Sequence, residues 1–281
     1  MSQSSDELLQ TTSRKITLRT RGNRHGPVNR VFSPSDLGHR LKPFVFLDYV
    51  DFMANGGPMF PMHPHSGLAT ITILLSNDIR YEDTTGASGV LKSGSVEWMN
   101  AGGGVWHDGS PIHAQRLRAY QLWVALPAAI ENGPAQSQYL PPEEVPQIGF
   151  ARLILGEWQG YHSPVLSTPG INYFHVKLPR GERWRYVPPR GHTVAWLHVS
   201  VGALTANGTR LQGELAMFEE SGAAIDILAE EDAEFVFGSA VKHPHDLVLG
   251  YYSVHTSAKA LRDGESEIAR IGQQLRDAGR I

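Results

Sequence analysis

The sequence predicts an all-β protein, built as two tandem barrels or sandwiches and closed by a short C-terminal helix. Three observations carry this. Runs rich in β-branched and aromatic residues recur between turn clusters of Gly, Pro, Asn and Ser. Two stretches, one in each half, share the same punctuation, as two copies of one β-unit would. Helical spacing of apolar residues is confined to the C-terminal end.

Residues 1–14 read as a short structureless arm, and "MSQSSDELLQTTSRK" lacks the apolar stretch of a secretory signal. In the first half "ATITILLS" (69–76), "SVEWMNAG" (95–102) and "RAYQLWVAL" (118–126) read as strands. The polar, proline-rich segment 127–147 reads as a linker. Beyond it come the strands "ARLILGEW" (151–158), "NYFHVKLP" (172–179), "TVAWLHVSV" (193–201) and "AEFVFGSAV" (233–241). A helix is predicted in "ESEIARIGQQLRDAG" (265–279), where Ile268, Ile271 and Leu275 share a face and Gly279 ends the run. The expected domains are 15–130 and 148–281.

Residues 62–76 align with 186–200 without a gap, placing Pro64 on Pro188, Gly67 on Gly191 and Ser76 on Ser200. Further on, Gly94 falls on Gly213 once the longer loop of the first copy is allowed for. His63 and His65 fall on Val187 and Pro189, and His107 falls on Asp226. Any metal site therefore belongs to the first copy, and the second lacks ligand histidines.

Composition narrows the function classes. With 281 residues, 41% of them hydrophobic, the chain can bury a sizeable core. A net charge of −3 gives no general attraction to nucleic acid or anionic membrane. The absence of cysteine excludes disulfides, zinc–thiolate sites and thiol nucleophiles, and suits a reducing cytoplasm. The apolar runs are too short to span a bilayer.

The stretch "MFPMHPHSGLATITILL" (59–75) holds His63 and His65 on either side of Pro64. Residues i and i+2 of an extended chain project to one side, and the proline favours extension at His63. His107, in "NAGGGVWHDGSP" (100–111), follows a glycine run that lets the chain approach closely. Three neutral imidazoles can hold divalent Fe, Zn, Ni, Cu or Mn, and ligand type alone does not choose among them. The bland reading is two polar residues in a loop, since the chain has 13 histidines. A second pair, His243 and His245, has no third partner in its own half and reads as a loop.

Other motifs stay at background. "AGGGVW" lacks the Lys-Ser/Thr of a phosphate loop and reads as a tight turn. No G-x-S-x-G is present. Glu143, Glu144 and "EEDAE" (230–234) read as solvated loop charges, and Arg19, Arg21, Arg24 and His25 as a solvated basic face. His162, His175, His192, His198 and His255 read as structural, hydrogen-bonded residues. Trp98, Met99 and Trp106 are candidates to line an apolar pocket, though aromatic residues in strands more often form core.

In order, "PFVFLDYVDF", "HPHSGLATITILL", "GSVEWMNAGGGVWH" and "YQLWVALP" resemble the N-terminal motifs of the pirin family, within the cupin superfamily. The likeness continues more weakly through "ARLILGEWQGYHSPV". The resemblance implies a bicupin: two cupin-type β-barrels, with one metal in the N-terminal barrel. His63, His65 and His107 match the three histidines of the family pattern, but the glutamate position holds Gly109. Asp108 is one residue off, Ala69 stands near the place of the first cupin motif's glutamate, and Ser93 replaces a proline. Three outcomes stay open: a His-only site, one completed by Glu97 or His113, or no metal. The resemblance implies a metal-dependent dioxygenase of the quercetinase type with a small aromatic substrate. The alternative is a regulatory or protein-binding bicupin with a degenerate site and a protein partner. A cytoplasmic monomer is expected, with no membrane and no direct nucleic-acid contact.

Overall fold

The computed structural model describes residues 14–55 and 60–281. The arm expected at 1–14 lies outside the described residues except for Arg14. That residue is wholly buried rather than free: its Nε donates to Glu219 O at 2.6 Å and its Nη2 to Thr193 O.

The described residues divide into two compact units, one drawn from 24–144 with 243–281, and one drawn from 14–23 with 145–242. The division is not linear. The strand Ile16–Thr20 pairs with Leu215–Phe218 of the second unit, and the C-terminal helix packs on strands of the first. Segment 127–147 is more ordered than a linker, because Gln136–Leu140 forms a strand against Val96–Asn100.

The unit made of 24–144 and 243–281 has a seven-stranded antiparallel sheet. Its order is Gln136–Leu140, Val96–Asn100, Leu68–Ser76, Arg116–Ala125, Phe44–Met53, Val28–Phe32 and Asn23–His25. A four-stranded sheet runs Phe60–His65, Val105–Pro111, Ile79–Asp83 and Ser88–Leu91. The other unit repeats both layouts. Its large sheet begins with Ile16–Thr20, Leu215–Phe218, His192–Val201 and Ala233–Val241, and its small sheet with Arg183–Tyr186 and Ile225–Ala229. The fold is thus all-β, with two cupin-type units. The repeat read from punctuation has a structural counterpart. Gly67 and Gly191 each turn the chain at positive φ into the equivalent strands Leu68–Ser76 and His192–Val201.

The interior of the second unit is apolar, with Phe174, Trp184, Leu197, Ile225, Ile227, Phe235 and Phe237 buried together. Burying each such side chain contributes about 1.5–3 kcal/mol. Asp226, on which His107 falls by alignment, points out of this interior and pairs with Arg185 at 2.7 Å. Its inward neighbours are Ile225 and Ile227, so a shift of one residue exchanges the two faces.

The helix is longer than expected, Ala258–Asp277, and starts where Ser257 Oγ accepts from Ala260 N at 3.1 Å. Its buried face is Ala260, Gly264, Ile268, Gly272 and Leu275, so two of five inward positions are glycines. No helix among the described residues is long and apolar enough to cross a membrane.

Candidate metal centre

The strand Phe60–His65 lies at the edge of the four-stranded sheet, where Pro61 and Pro64 take no ladder hydrogen bond from a second neighbour. The pleat turns His63 and His65 to one face. His107, on Val105–Pro111, stands directly opposite His63 in the ladder. The ring centroids are 5.1 Å apart for His63 and His65, 4.5 Å for His63 and His107, and 5.2 Å for His65 and His107. One nitrogen from each ring lies within 4.8 Å of the others, so the three can hold a metal ion.

The protein fixes how these rings face. His63 Nδ1 lies 2.8 Å from Pro61 O, and His65 Nδ1 lies 3.2 Å from Tyr252 O. A carbonyl can only accept, so each Nδ1 carries the proton and each Nε2 keeps a lone pair. The Nε2 atoms of His65 and His107 are buried with no hydrogen-bond partner among the described residues. Leaving a buried polar nitrogen unsatisfied costs about 1–3 kcal/mol, an expense a metal ion would remove. Burial, followed by the neighbouring His107 imidazole, lowers His63 to about 4. The same causes, with His63 added, take His65 well below its ordinary value. Both rings are therefore neutral, as metal ligation requires.

Glu97 is the residue whose place the sequence left undecided. It is buried on Val96–Asn100, with Oε1 3.6 Å from His107 Nδ1 and Oε2 accepting from Thr72 Oγ1 at 2.6 Å. Burial alone would raise its carboxyl, but the His107 imidazole and the Thr72 hydroxyl outweigh it and leave the group lowered. The carboxylate is not in the converging set; it stands behind His107, on the Nδ1 side of that ring. His113, the other candidate fourth residue, is exposed, and its carbonyl accepts from Asn77 Nδ2 and Gln115 N.

Gly109 lies two residues beyond His107, past an irregularity in the ladder. The proposed pocket residues lie elsewhere. Met99 packs with Ala101 and Val105, Trp98 alternates away from Glu97, and Trp106 Nε1 donates to Ile268 O of the helix at 2.8 Å. A small cavity of about 100 Å³ lies against His63, Glu97 and His107 instead, walled by Phe60, Tyr81 and Tyr120. It shares Phe60 and His63 with an open groove of about 780 Å³ flanked by Phe46, Trp123 and Tyr252. The groove has the size of a small-molecule site.

The second histidine pair is a loop, as read: His243 Nε2 lies 3.1 Å from Leu126 O, and His243 Nδ1 lies 3.4 Å from His245 O. His175 pairs with Glu234 at 2.7 Å and His192 with Ser239 at 3.3 Å. The glycine run is a turn, with Gly104 N donating to Ala101 O at 2.9 Å. Arg19 of the basic cluster is bound to Glu214 at 2.6 Å. Sequence reasoning missed Tyr252, which reaches His65 across 187 positions through a backbone atom that carries no residue-type signal.

Two cupin-type units, one carrying three converging histidines, define a bicupin with a single candidate metal centre among the described residues. The chain belongs to the pirin family: that family's profile, described as Pirin, matches residues 26–124. A Pseudomonas aeruginosa protein provisionally named a quercetin 2,3-dioxygenase is 34% identical over 216 residues, 68% of this chain and 75% of that protein. The solved structure of a quercetin 2,3-dioxygenase from Acinetobacter baumannii is similar with a TM-score of 0.85 and 26% identity, covering 92% of this chain and 98% of that one. A bacterial pirin from Escherichia coli, solved in complex with nickel(II), shares the fold at a TM-score of 0.63 and 20% identity, over 82% of this chain and 98% of that one.

Proposed function

We propose that this chain is a metal-dependent dioxygenase of the quercetin 2,3-dioxygenase type, acting on flavonol-like substrates, with one divalent transition metal held by His63, His65 and His107. The observation that carries this is the convergence of three imidazole nitrogens, two of them buried and unpartnered, beside a groove with aromatic walls. The names of the relatives agree with it. Three nitrogen donors without a carboxylate favour nickel, copper or zinc over iron or manganese. When bound, the metal supplies Lewis-acid polarisation of substrate oxygens at positions the protein leaves open.

The chain's own residues prepare the rest. Glu97 holds His107 in place, and the carbonyls of Pro61 and Tyr252 hold the other two rings. Phe46 and Trp123, stacked at 4.1 Å, give a rigid flat wall for a planar ring system, with Tyr252 opposite His63 and His65. Arg30 lies over Phe46 at 4.2 Å and is bound to Asp48 through two hydrogen bonds, which stiffens that wall.

A regulatory or protein-binding bicupin is the second reading, favoured by Gly109 at the family's glutamate position. Oxygen uptake with quercetin separates the two. The metal-reconstituted wild type should turn over, and both His107→Ala and exhaustive chelation should abolish the activity. Turnover that survives both would exclude the metal-dependent reading. A wild type that holds metal but never consumes oxygen would favour the second.

A further inference from the structure

The segment after residue 243 makes its hydrogen bond to the histidine site with the carbonyl oxygen of Tyr252, on His65 Nδ1, while the Tyr252 ring faces His63 and His65. What holds that atom in place is a buried polar chain beside it. Ser66 is 0% exposed, Ser253 2%, His255 1% and Glu131 3%. Ser66 Oγ donates to Ser253 Oγ at 2.8 Å, and Ser253 Oγ donates to Tyr251 O at 3.0 Å. His255 Nε2 lies 3.0 Å from Ser66 Oγ; both hydroxyl protons are already committed, so the imidazole is the donor. On its other side His255 Nδ1 lies 3.3 Å from Glu131 Oε2, an electrostatic contact without hydrogen-bond geometry. Glu131 in turn accepts from Thr256 N at 2.6 Å and Thr256 Oγ1 at 2.7 Å. The backbones also meet, with Val254 N donating to Ser66 O at 3.2 Å and a parallel bridge between Ser66 and Ser253.

The order Ser66, His255, Glu131 is that of a hydrolytic triad, but the physical state is not. Ser66 is sealed from solvent, and its proton goes to Ser253 instead of to the imidazole, so no nucleophile is prepared. Two glycines close the cluster. A Cβ on Gly264 of the helix would stand 2.6 Å from His255 Nε2 and 2.7 Å from Ser66 Oγ. A Cβ on Gly67 would stand 2.7 Å from the His255 ring. The helix therefore presses its bare backbone onto the residue next to His65.

We propose that residues 251–256 form a clamp for the metal centre. Glu131, His255, Ser66 and Ser253 are positioning residues that hold the Tyr252 carbonyl on His65 and thereby aim its Nε2 at His63 and His107. The inference rests on reading those three histidines as a metal site.

The test uses cobalt(II) as probe on the full chain, reading its dissociation constant, its visible absorption and the melting temperature of the metal-free protein. Ser253→Ala and Gly264→Ala should each raise the dissociation constant about tenfold or more and alter the cobalt spectrum, as loss of a ligand's orienting partner does. Ser253→Thr should restore both. Ile268→Val, which trims the same helix away from the clamp, should lower the melting temperature without either change. The clamp is overturned if Ser253→Ala and Gly264→Ala keep the wild-type constant and spectrum, or if Ile268→Val weakens cobalt equally. A wild type that takes up no cobalt overturns the metal reading itself, and the clamp with it.

Discussion

Glu97 stands 3.6 Å behind His107, on the Nδ1 side of a ring whose Nε2 is buried without a partner. Gly109, two residues beyond His107, offers no side-chain ligand, yet the Glu97 carboxylate stands close behind the site. It orients an imidazole and balances charge without occupying a coordination position. Glu97→Gln keeps the shape and removes the charge. Metal affinity should fall by about 10- to 100-fold, read by chelator competition, while the fold persists. Unchanged affinity would assign Glu97 to packing alone.

Gly109→Glu should reshape metal preference. A Cβ at Gly109 would meet Ile79 Cγ2 at 3.4 Å and Phe60 Cδ2 at 3.9 Å, ordinary contact distances, so the substitution is sterically admitted. A charged oxygen two residues from His107 favours hard ions. The ratio of iron(II) or manganese(II) affinity to nickel(II) affinity should rise, as measured by competitive binding. An unchanged ratio would show that the new carboxylate does not reach the ion.

Trp106→Ala should cost stability and leave metal content alone. The indole donates to Ile268 O and packs on Gly272, where a Cβ would stand 2.6 Å from the ring. Losing a large aromatic side chain of this kind costs about 3–5 kcal/mol when it is buried, and somewhat less here because Trp106 is only half-buried. Urea denaturation and metal analysis on the same sample check both halves. Metal loss at full stability would return Trp106 to the site.

His198 gives an acid-stability prediction. Burial lowers its imidazole to about 3 and keeps it neutral in the folded chain. In the unfolded chain it titrates near its ordinary value of about 6.5. Its contribution is thus complete above that value and is lost as pH falls toward the folded value, because only the unfolded state gains the proton. His198→Leu should flatten the pH dependence of unfolding free energy in this window by about 1.4 kcal/mol per pH unit. Parallel curves for the two proteins would contradict the buried neutral state.

The parts of the fold legible in the sequence were those written in side-chain type. The strand Leu68–Ser76 announces itself by β-branched residues, and Pro64 between two histidines marks both extension and common facing. The helix was legible only from residue 265, because Gly264 occupies an inward position that hydrophobic spacing cannot register. The strand Gln136–Leu140 was hidden in a proline-rich stretch, since it is an edge strand with one hydrogen-bonded neighbour and little apolar content. In the site, the three histidines were legible as a set. Glu97 was visible only as a candidate fourth residue, because residue type does not say which side of an imidazole a carboxylate takes. The exchange of Ile16–Thr20 and the C-terminal helix between units left no local trace, as pairing partners far apart in sequence carry no shared pattern.

On the proposed reading, His63, His65 and His107 hold one metal ion without a carboxylate ligand. Metal analysis by mass spectrometry of the untagged protein, beside its His63→Ala/His107→Ala variant, tests it most directly. The wild type should hold close to one equivalent of a divalent transition metal after reconstitution, and the variant should retain none. A wild type that retains no metal under the same conditions would contradict it.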